Sequence, residues 1–210
     1  MDPVKATVAT FDKYAEQYQD KFMDYPAYTK TYARFASLLT EQHRTLLDVG
    51  CGPGNISRYL LAQHPHLKIH GVDLSPRMVE LAAKNNPNHS FTVMDTRDIG
   101  QLEQTFDVII CGFCLPYLEP GEAKTCLQTV YRLLNPKGLL YLSTMVGDPA
   151  RSGYKENASG DGVITTYYEA KQLLQMLSDC GFTVCEHFSQ NYPADGEEPV
   201  EDLFVFALRQ

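Results

Sequence analysis

The sequence lacks any apolar run that approaches the roughly 20 residues needed to cross a bilayer. Residues 1–5 also lack the basic flank and the apolar stretch of a secretory signal peptide. The six cysteines fall mainly in stretches typical of strands or helices, which favours buried thiols in a reducing compartment over a disulfide framework. We therefore expect a cytosolic protein without a membrane partner.

Positive charge is also scarce, since 18 Lys and Arg residues face 26 Asp and Glu residues and leave a formal net charge of -8. Such a charge repels phosphate backbones and argues against a nucleic-acid partner, although it is only an average over the molecule. Metal-ligand spacing is missing as well: Cys111 and Cys114 have no second cysteine pair, and His64, His66 and His70 have no acidic or thiol partner nearby in sequence. We expect no bound metal.

The 210 residues, with 44% hydrophobic and 21% charged residues, suit one soluble domain over 1–210. From residue 44 onward, short apolar runs alternate with amphipathic stretches, which is typical of a parallel sheet covered by helices on both faces. Helices are predicted over 55–63, 76–85, 122–134 and 168–180. Strands are predicted near 45–49, 67–72, 90–94, 106–111, 138–144, 182–187 and 202–208.

The two ends of the chain depart from this alternation. Residues 8–20 and 26–40 predict two amphipathic helices that cover part of the domain, so we expect residues 1–42 to form a helical lid. Residues 146–166 are rich in Gly, Ser, Asp and Asn, which predicts an irregular segment. The polar run 189–201 is too poor in helical pattern for a crossover helix, so the last strand is predicted to be antiparallel. The expected fold is α/β, with a doubly wound, Rossmann-like, mostly parallel sheet of seven strands.

A glycine-rich turn follows the first strand and opens a helix, in the segment Leu46–Asn55. Glycines at such a turn let a ligand approach the backbone, and the helix N-terminus offers unpaired N–H groups, which together indicate a nucleotide site. The dinucleotide fingerprint requires a glycine where Asn55 stands, and no Gly-Lys-Ser/Thr follows as a phosphate-binding loop would require. Instead, Asp48 precedes Gly50, Gly52 and Gly54.

An Asp-x-Gly-x-Gly-x-Gly turn of this kind resembles the class I S-adenosylmethionine-dependent methyltransferases. The resemblance covers about residues 44–145, the expected cofactor-binding half, and leaves 146–210 for the substrate-side loop and the last strands. It implies S-adenosylmethionine as cofactor and S-adenosylhomocysteine as product. It places Asp48 at the amino-acid end of the cofactor and Asp73 at the ribose hydroxyls. The turn Gly50–Gly52, which includes Cys51, is expected to lie beneath the cofactor.

Further cofactor contacts follow from the resemblance. Leu74 and Met78 are expected to line the adenine pocket, although packing in the core explains both equally well. Asp95, with Thr96, ends the third strand, where the family places an acid that accepts from the adenine amino group. Cys111 ends the fourth strand beside the cofactor.

The acceptor side is less defined by sequence. Phe113 and Tyr117 follow the fourth strand, where the methyl donor of the family faces its substrate, and Tyr14 and Tyr18 are candidates for the wall around the sulfonium. Arg151, Tyr154 and Tyr167 are candidates for acceptor contacts, against the alternative of a solvated loop. The chain lacks the Asn/Asp-Pro-Pro-Tyr/Phe motif typical of enzymes that methylate base or glutamine amide nitrogens.

We therefore expect in-line methyl transfer to a small-molecule acceptor, a reaction for which no general base is obligatory. Two alternatives stay open: a non-catalytic domain that senses the cofactor, and an NAD(P)-dependent oxidoreductase. Oligomeric state has no signal in the sequence.

Overall fold

The computed structural model describes residues 3–192 and 200–210. Within these described residues, nine strands form a main sheet of seven and a separate hairpin of two. In chain order the strands are β1 (Thr45–Val49), β2 (Lys68–Asp73), β3 (Ser90–Val93), β4 (Phe106–Gly112), β5 (Leu134–Val146), β6 (Gly153–Glu156), β7 (Gly162–Thr165), β8 (Phe182–Tyr192) and β9 (Val200–Arg209).

The main sheet has the order β3-β2-β1-β4-β5-β9-β8. Strands β1 to β5 are parallel to one another, whereas β9 runs antiparallel to both β5 and β8. The predicted mostly parallel, seven-stranded sheet with an antiparallel last strand is thus confirmed. The predicted connector 189–201 is wrong at both ends, because β8 continues to residue 192 and β9 begins at 200; residues 193–199 lie outside the described part of the chain.

The helices are α1 (Pro3–Lys13), α2 (Ala15–Phe22), α3 (Pro26–Ala36), α4 (Asn55–Gln63), α5 (Pro76–Asn85), α6 (Pro120–Leu133) and α7 (Ala170–Asp179). Proline stands at the start of α3, α5 and α6, where its missing N–H costs nothing. At α5 the Ser75 hydroxyl also accepts a hydrogen bond from the Met78 N–H. The predicted helix 8–20 is in fact two helices, since the backbone of Tyr14 leaves helical geometry between α1 and α2.

Two hydrophobic cores cover the two faces of the sheet, because successive side chains of a strand point to opposite sides. In β1, Leu47 packs with α6 and α7, whereas Leu46 packs with α3 and α4. The second core is strongly aromatic: Phe35 contacts Tyr141 and Phe206. This two-sided burial requires runs of consecutive apolar residues, as β4 has over 108–111 and β5 over 139–142.

The segment 146–166 was predicted to be irregular, and this prediction is wrong. The segment contains a short 3₁₀ turn and the hairpin β6–β7. Its strands are largely exposed, so they lack the apolar alternation that identifies a strand. The Asn157 carboxamide oxygen stabilises the turn by accepting from the N–H groups of Ser159 and Asp161. The hairpin is docked on α1, where the Thr10 hydroxyl donates to the Gly162 carbonyl at 2.9 Å.

Within 3–192 and 200–210, none of the helices has the length and apolar character that a bilayer span requires. The same residues contain no group of three or more His, Cys, Asp or Glu side chains arranged to hold a metal ion.

Candidate functional site

Two adjoining cavities lie at the edge of the sheet where β1, β2 and β4 end. Both cavities are open to solvent, and the space in them, counted with the solvent at their mouths, is about 760 Å³ and about 1180 Å³. The second is the larger of the two. The residues that line both cavities are Tyr18, Gly50, Gly52, Gly112, Phe113 and Tyr117. A ligand that passes these shared residues would extend from one cavity into the other.

The glycine-rich turn forms the floor between the cavities. Gly50, Gly52 and Gly54 have φ values of +66°, +53° and +77°, in the left-handed region that favours glycine. A Cβ at Gly50 would lie 2.9 Å from the Cβ of Cys114, closer than side chains approach one another. The glycines therefore let the backbone itself form the cavity surface.

Asp48 precedes this turn and lines the second cavity. Its side chain is 2% exposed, and the Ser57 hydroxyl donates to its Oδ2 at 2.6 Å. Burial raises the pKa of Asp48 to about 7, and the nearby negative charge of Asp73 adds to the shift. A cationic group in the second cavity would offset this cost.

Asp73 ends β2 and lines the first cavity. Its Oδ2 accepts from the Gly52 N–H and its Oδ1 from the Ser75 N–H, both at 2.9 Å. Burial raises the pKa of this carboxyl, while those backbone N–H groups act in the opposite direction. Because an ionised carboxylate has about four lone-pair sites, two hydroxyl donors could still be accepted. Leu74 and Met78 line the same cavity.

Asp95 and Thr96 also line the first cavity. The Asp95 carboxylate is engaged by its neighbour: Arg97 Nη2 donates to Oδ2 at 2.6 Å and Arg97 Nε to Oδ1 at 3.0 Å. Although burial opposes it, this contact leaves the pKa of Asp95 below its ordinary value. The carboxylate is therefore held ionised, in one orientation, at the wall of the cavity.

Helix α1 closes the first cavity from above with Val4, Thr7, Val8 and Phe11. Asp12 holds this helix on α5, because its Oδ1 accepts from the Ser75 hydroxyl at 2.7 Å and from the Arg77 N–H at 2.9 Å. A negative charge at the start of α5 is also stabilised by the helix dipole. The Phe11 ring packs on Tyr117, with 5.0 Å between the ring centroids.

Among the described residues, the lining of the second cavity consists mainly of aromatic rings and includes two carboxylates, those of Asp48 and Asp202. The rings are those of Tyr18, Phe22, Tyr28, Tyr32, Phe113, Tyr117 and Tyr167. Sequence reasoning missed Asp202, Tyr28 and Tyr32. A usable signal existed for Asp202: together with Glu201 it stands at the start of an apolar strand, and an antiparallel strand begins where its parallel neighbours end.

Four residues predicted for the site are not among those that line the cavities. The Tyr14 hydroxyl donates to Asp161 Oδ2 in the hairpin turn at 2.7 Å, so this side chain holds the hairpin on the lid. Cys111 is fully buried in the sheet core. Arg151 lies over the Tyr167 ring at 5.2 Å, and Tyr154 is exposed on β6.

Residues 46–138 match a family model described as a methyltransferase domain. The demethylmenaquinone methyltransferase of Thermotoga maritima is 29% identical over 66% of this chain and 61% of its own length. The tRNA N(3)-methylcytidine methyltransferase Mettl2 of Drosophila melanogaster is 29% identical over 76% of this chain and 54% of its own. The chain thus spans about half the length of the curated relatives it matches.

Among solved structures, the chain is similar to the 1,6-didemethyltoxoflavin N1-methyltransferase of Burkholderia thailandensis, which was solved with that substrate and S-adenosylhomocysteine bound. The superposition has a TM-score of 0.72 and covers 100% of this chain and 91% of that one, at 21% identity. At this identity the likeness establishes a shared fold.

Proposed function

We propose that the chain, whose residues 46–138 match the methyltransferase-domain family model, transfers a methyl group from S-adenosylmethionine to a small-molecule acceptor. The observation that carries this proposal is the continuity of the two cavities across the glycine-rich turn. One cavity has the carboxylates suited to a nucleoside, and the other has room for a second molecule. The turn between them contacts both.

The carboxylates that line the two cavities suit both ends of the cofactor. In the proposed arrangement Asp48 faces the ammonium of the amino-acid end, and Asp73 accepts the ribose hydroxyls. Leu74 and Met78 flank the adenine, and Asp95 with Thr96 lies at its edge. Carboxylates suit this ligand because it carries no phosphate, whereas a pyrophosphate would be repelled by Asp48 and Asp73.

Bound S-adenosylmethionine supplies a methyl group activated by a sulfonium sulfur. The contribution of the chain is to align the acceptor in line with that bond and to exclude water, which are the main sources of acceleration for such a displacement. The rings of Tyr18, Phe113 and Tyr117, which line both cavities, form the wall at the junction. Aromatic faces there stabilise positive charge.

A small-molecule acceptor is favoured over RNA by the charge of the site. None of the described residues that line either cavity is Lys, Arg or His. A polynucleotide acceptor would require phosphate contacts beside the reacting base. The tRNA relative therefore shares the cofactor-binding core with this chain, while the acceptor side argues for a different substrate. The six free cysteines support the expected cytosolic location.

The rival functions are less well supported. A dinucleotide site would leave the buried Asp48 facing a pyrophosphate, and the comparisons favour methyl transfer over a cofactor sensor. The test is a screen of small acceptors that detects released S-adenosylhomocysteine. Turnover with at least one small molecule is the expected result. Turnover with only RNA or protein acceptors would contradict the proposal.

A further inference from the structure

Asp202 occupies a position that the cofactor does not require. It is the third residue of β9, and its backbone neighbours are Met145 of β5 and Gln190 of β8. Because β9 is antiparallel to β5, this early position lies at the same sheet edge as the ends of the parallel strands. Met145 and Val200 line the second cavity beside it. Asp202 thus belongs to the acceptor end of the site.

The Asp202 carboxylate is buried but incompletely paired. Its side chain is 2% exposed, and the Tyr28 hydroxyl donates to Oδ2 at 2.8 Å. Oδ1 has no hydrogen-bond partner among the described residues, although an ionised carboxylate accepts several hydrogen bonds. A buried charge with one donor is costly, so a donor or a cation in the cavity would stabilise it.

The surroundings of Asp202 favour a cation over a neutral donor. The Tyr28 ring lies 5.3 Å from the Phe113 ring, and both line the cavity with five further aromatic side chains. Aromatic faces carry partial negative charge and attract organic cations, especially where water is excluded. None of the described residues lining this cavity is basic, so a carboxylate or phosphate on the acceptor would meet only like charge near Asp202.

We propose that the second cavity binds the methyl acceptor through a protonated amine, with the amine donating to Asp202 Oδ1 and lying against the aromatic rings. The inference rests on the proposed function, because it assigns the chemical class of that acceptor. It makes Asp202 a specificity-determining residue, whichever atom of the acceptor receives the methyl group. Burial raises the pKa of Asp202 to about 6, so this carboxylate is ionised at neutral pH and able to hold a cation.

The test compares two probes with the same aromatic body and opposite charge, phenethylamine and 3-phenylpropionate. Each is titrated by calorimetry into the full chain saturated with S-adenosylhomocysteine. The amine should bind the wild type about tenfold more tightly than the carboxylate, or better, because a charge-assisted hydrogen bond is lost with the latter. Asp202→Asn keeps the shape of the side chain and should remove most of that preference.

Two control variants separate the charge from the structure. Asp98→Asn removes an exposed carboxylate that lines neither cavity and should leave both affinities unchanged. Tyr28→Phe removes the hydroxyl that donates to Asp202 but keeps the ring and the negative charge, so the preference for the amine should persist. If Asp202→Asn fails to bind S-adenosylhomocysteine, the wild-type comparison and Tyr28→Phe decide the question.

Equal binding of the two probes by the wild type, tighter binding of the carboxylate, or binding of neither would overturn this inference. An unchanged preference in a folded Asp202→Asn protein would overturn it as well. Failure of the proposed function has a different signature: the wild type would then not bind S-adenosylhomocysteine in the first step of the experiment.

Discussion

The two cavities are built in different ways from the same chain. In the first, the carboxylates of Asp73 and Asp95 stand at or just after the ends of β2 and β3, and each accepts from a backbone N–H two positions along the chain. Helices α1 and α2 and the segment after β4 complete its wall. The second collects residues from α2, α3, the ends of β1 and β4, Tyr167 and β9, between positions 18 and 202. The carboxylates proposed to bind the cofactor are thus held by residues close to them in sequence. The residues proposed to bind the acceptor come from distant segments that meet in the fold.

This difference predicts that variants of the first cavity and of the turn weaken cofactor binding, while variants of the acceptor end leave it intact.

Gly50→Ala should abolish measurable S-adenosylhomocysteine binding. The new Cβ would meet Cys114 at 2.9 Å and would require a φ near +66°, so the turn must move. Calorimetric titration measures the loss. Gly160→Ala is the matched control: its φ is +79°, but nothing lies within 4 Å of a Cβ there. It should cost about 1 kcal/mol of stability and leave binding unchanged. Equal binding by both variants would show that the turn is not the floor of the site.

Asp48→Asn should weaken S-adenosylhomocysteine binding by about 10- to 100-fold, because the ammonium loses a charged partner. In the wild type, affinity should rise as the pH rises through about 7, since the carboxylate must ionise to pair with the ammonium. Titrations between pH 6 and 8 measure this slope, which the variant should largely lose.

The same substitution should stabilise the ligand-free protein. The pKa of Asp48 is about 7 in the folded state and 3.8 as a reference, so the native state binds the extra proton between these values. The free energy of unfolding therefore falls as the pH rises through that window. At pH 8, the free energy of unfolding of Asp48→Asn, measured by denaturant titration, should be about 1–3 kcal/mol larger than that of the wild type. A destabilised variant would contradict the cost assigned to this buried charge.

Asp12→Ala should weaken S-adenosylhomocysteine binding about fivefold, because it removes the two hydrogen bonds that hold α1 over the first cavity. Hydrogen exchange of α1 amides should accelerate in the variant, and cofactor binding should restore part of the protection. Asp20→Ala, which removes an exposed acid on α2, is the control. Unchanged exchange in Asp12→Ala would mean that other contacts hold the helix.

Asp95→Asn should have the smallest effect, a loss of about threefold or less, because Arg97 already donates to both carboxylate oxygens and an amide oxygen can still accept from an adenine amino group. Calorimetry compares it directly with Asp48→Asn. A larger loss than that of Asp48→Asn would place the main polar contact at the adenine end.

Much of this architecture follows from the sequence. Strands β1 and β4 are short and largely apolar, and the turn at Gly50–Gly54 combines a positive φ at three glycines with a preceding acid, so pattern and chemistry agree. The hairpin β6–β7 could not be predicted in this way. Strand β6 is exposed and β7 is half-buried, and their order comes from contacts with α1, such as the Ile164 N–H donating to the Thr7 hydroxyl at 2.8 Å.

The residues at the acceptor end of the site could not be predicted from short stretches of sequence either. Tyr28 is indistinguishable in sequence from a packing residue of an amphipathic helix, and only the fold brings its hydroxyl to Asp202 across 174 positions. The break at Tyr14 is similar, because no proline or glycine marks it and its hydroxyl is held by the hairpin turn. Contacts between distant segments decide such positions, and no single stretch of sequence encodes them.

The central claim is that the glycine-rich turn and its carboxylates bind S-adenosylmethionine and not a dinucleotide. The most direct test is a pair of calorimetric titrations of the wild-type chain, one with S-adenosylhomocysteine and one with NAD. We predict saturable binding of S-adenosylhomocysteine with a Kd on the order of micromolar and no binding of NAD. Binding of NAD without binding of S-adenosylhomocysteine would contradict the assignment.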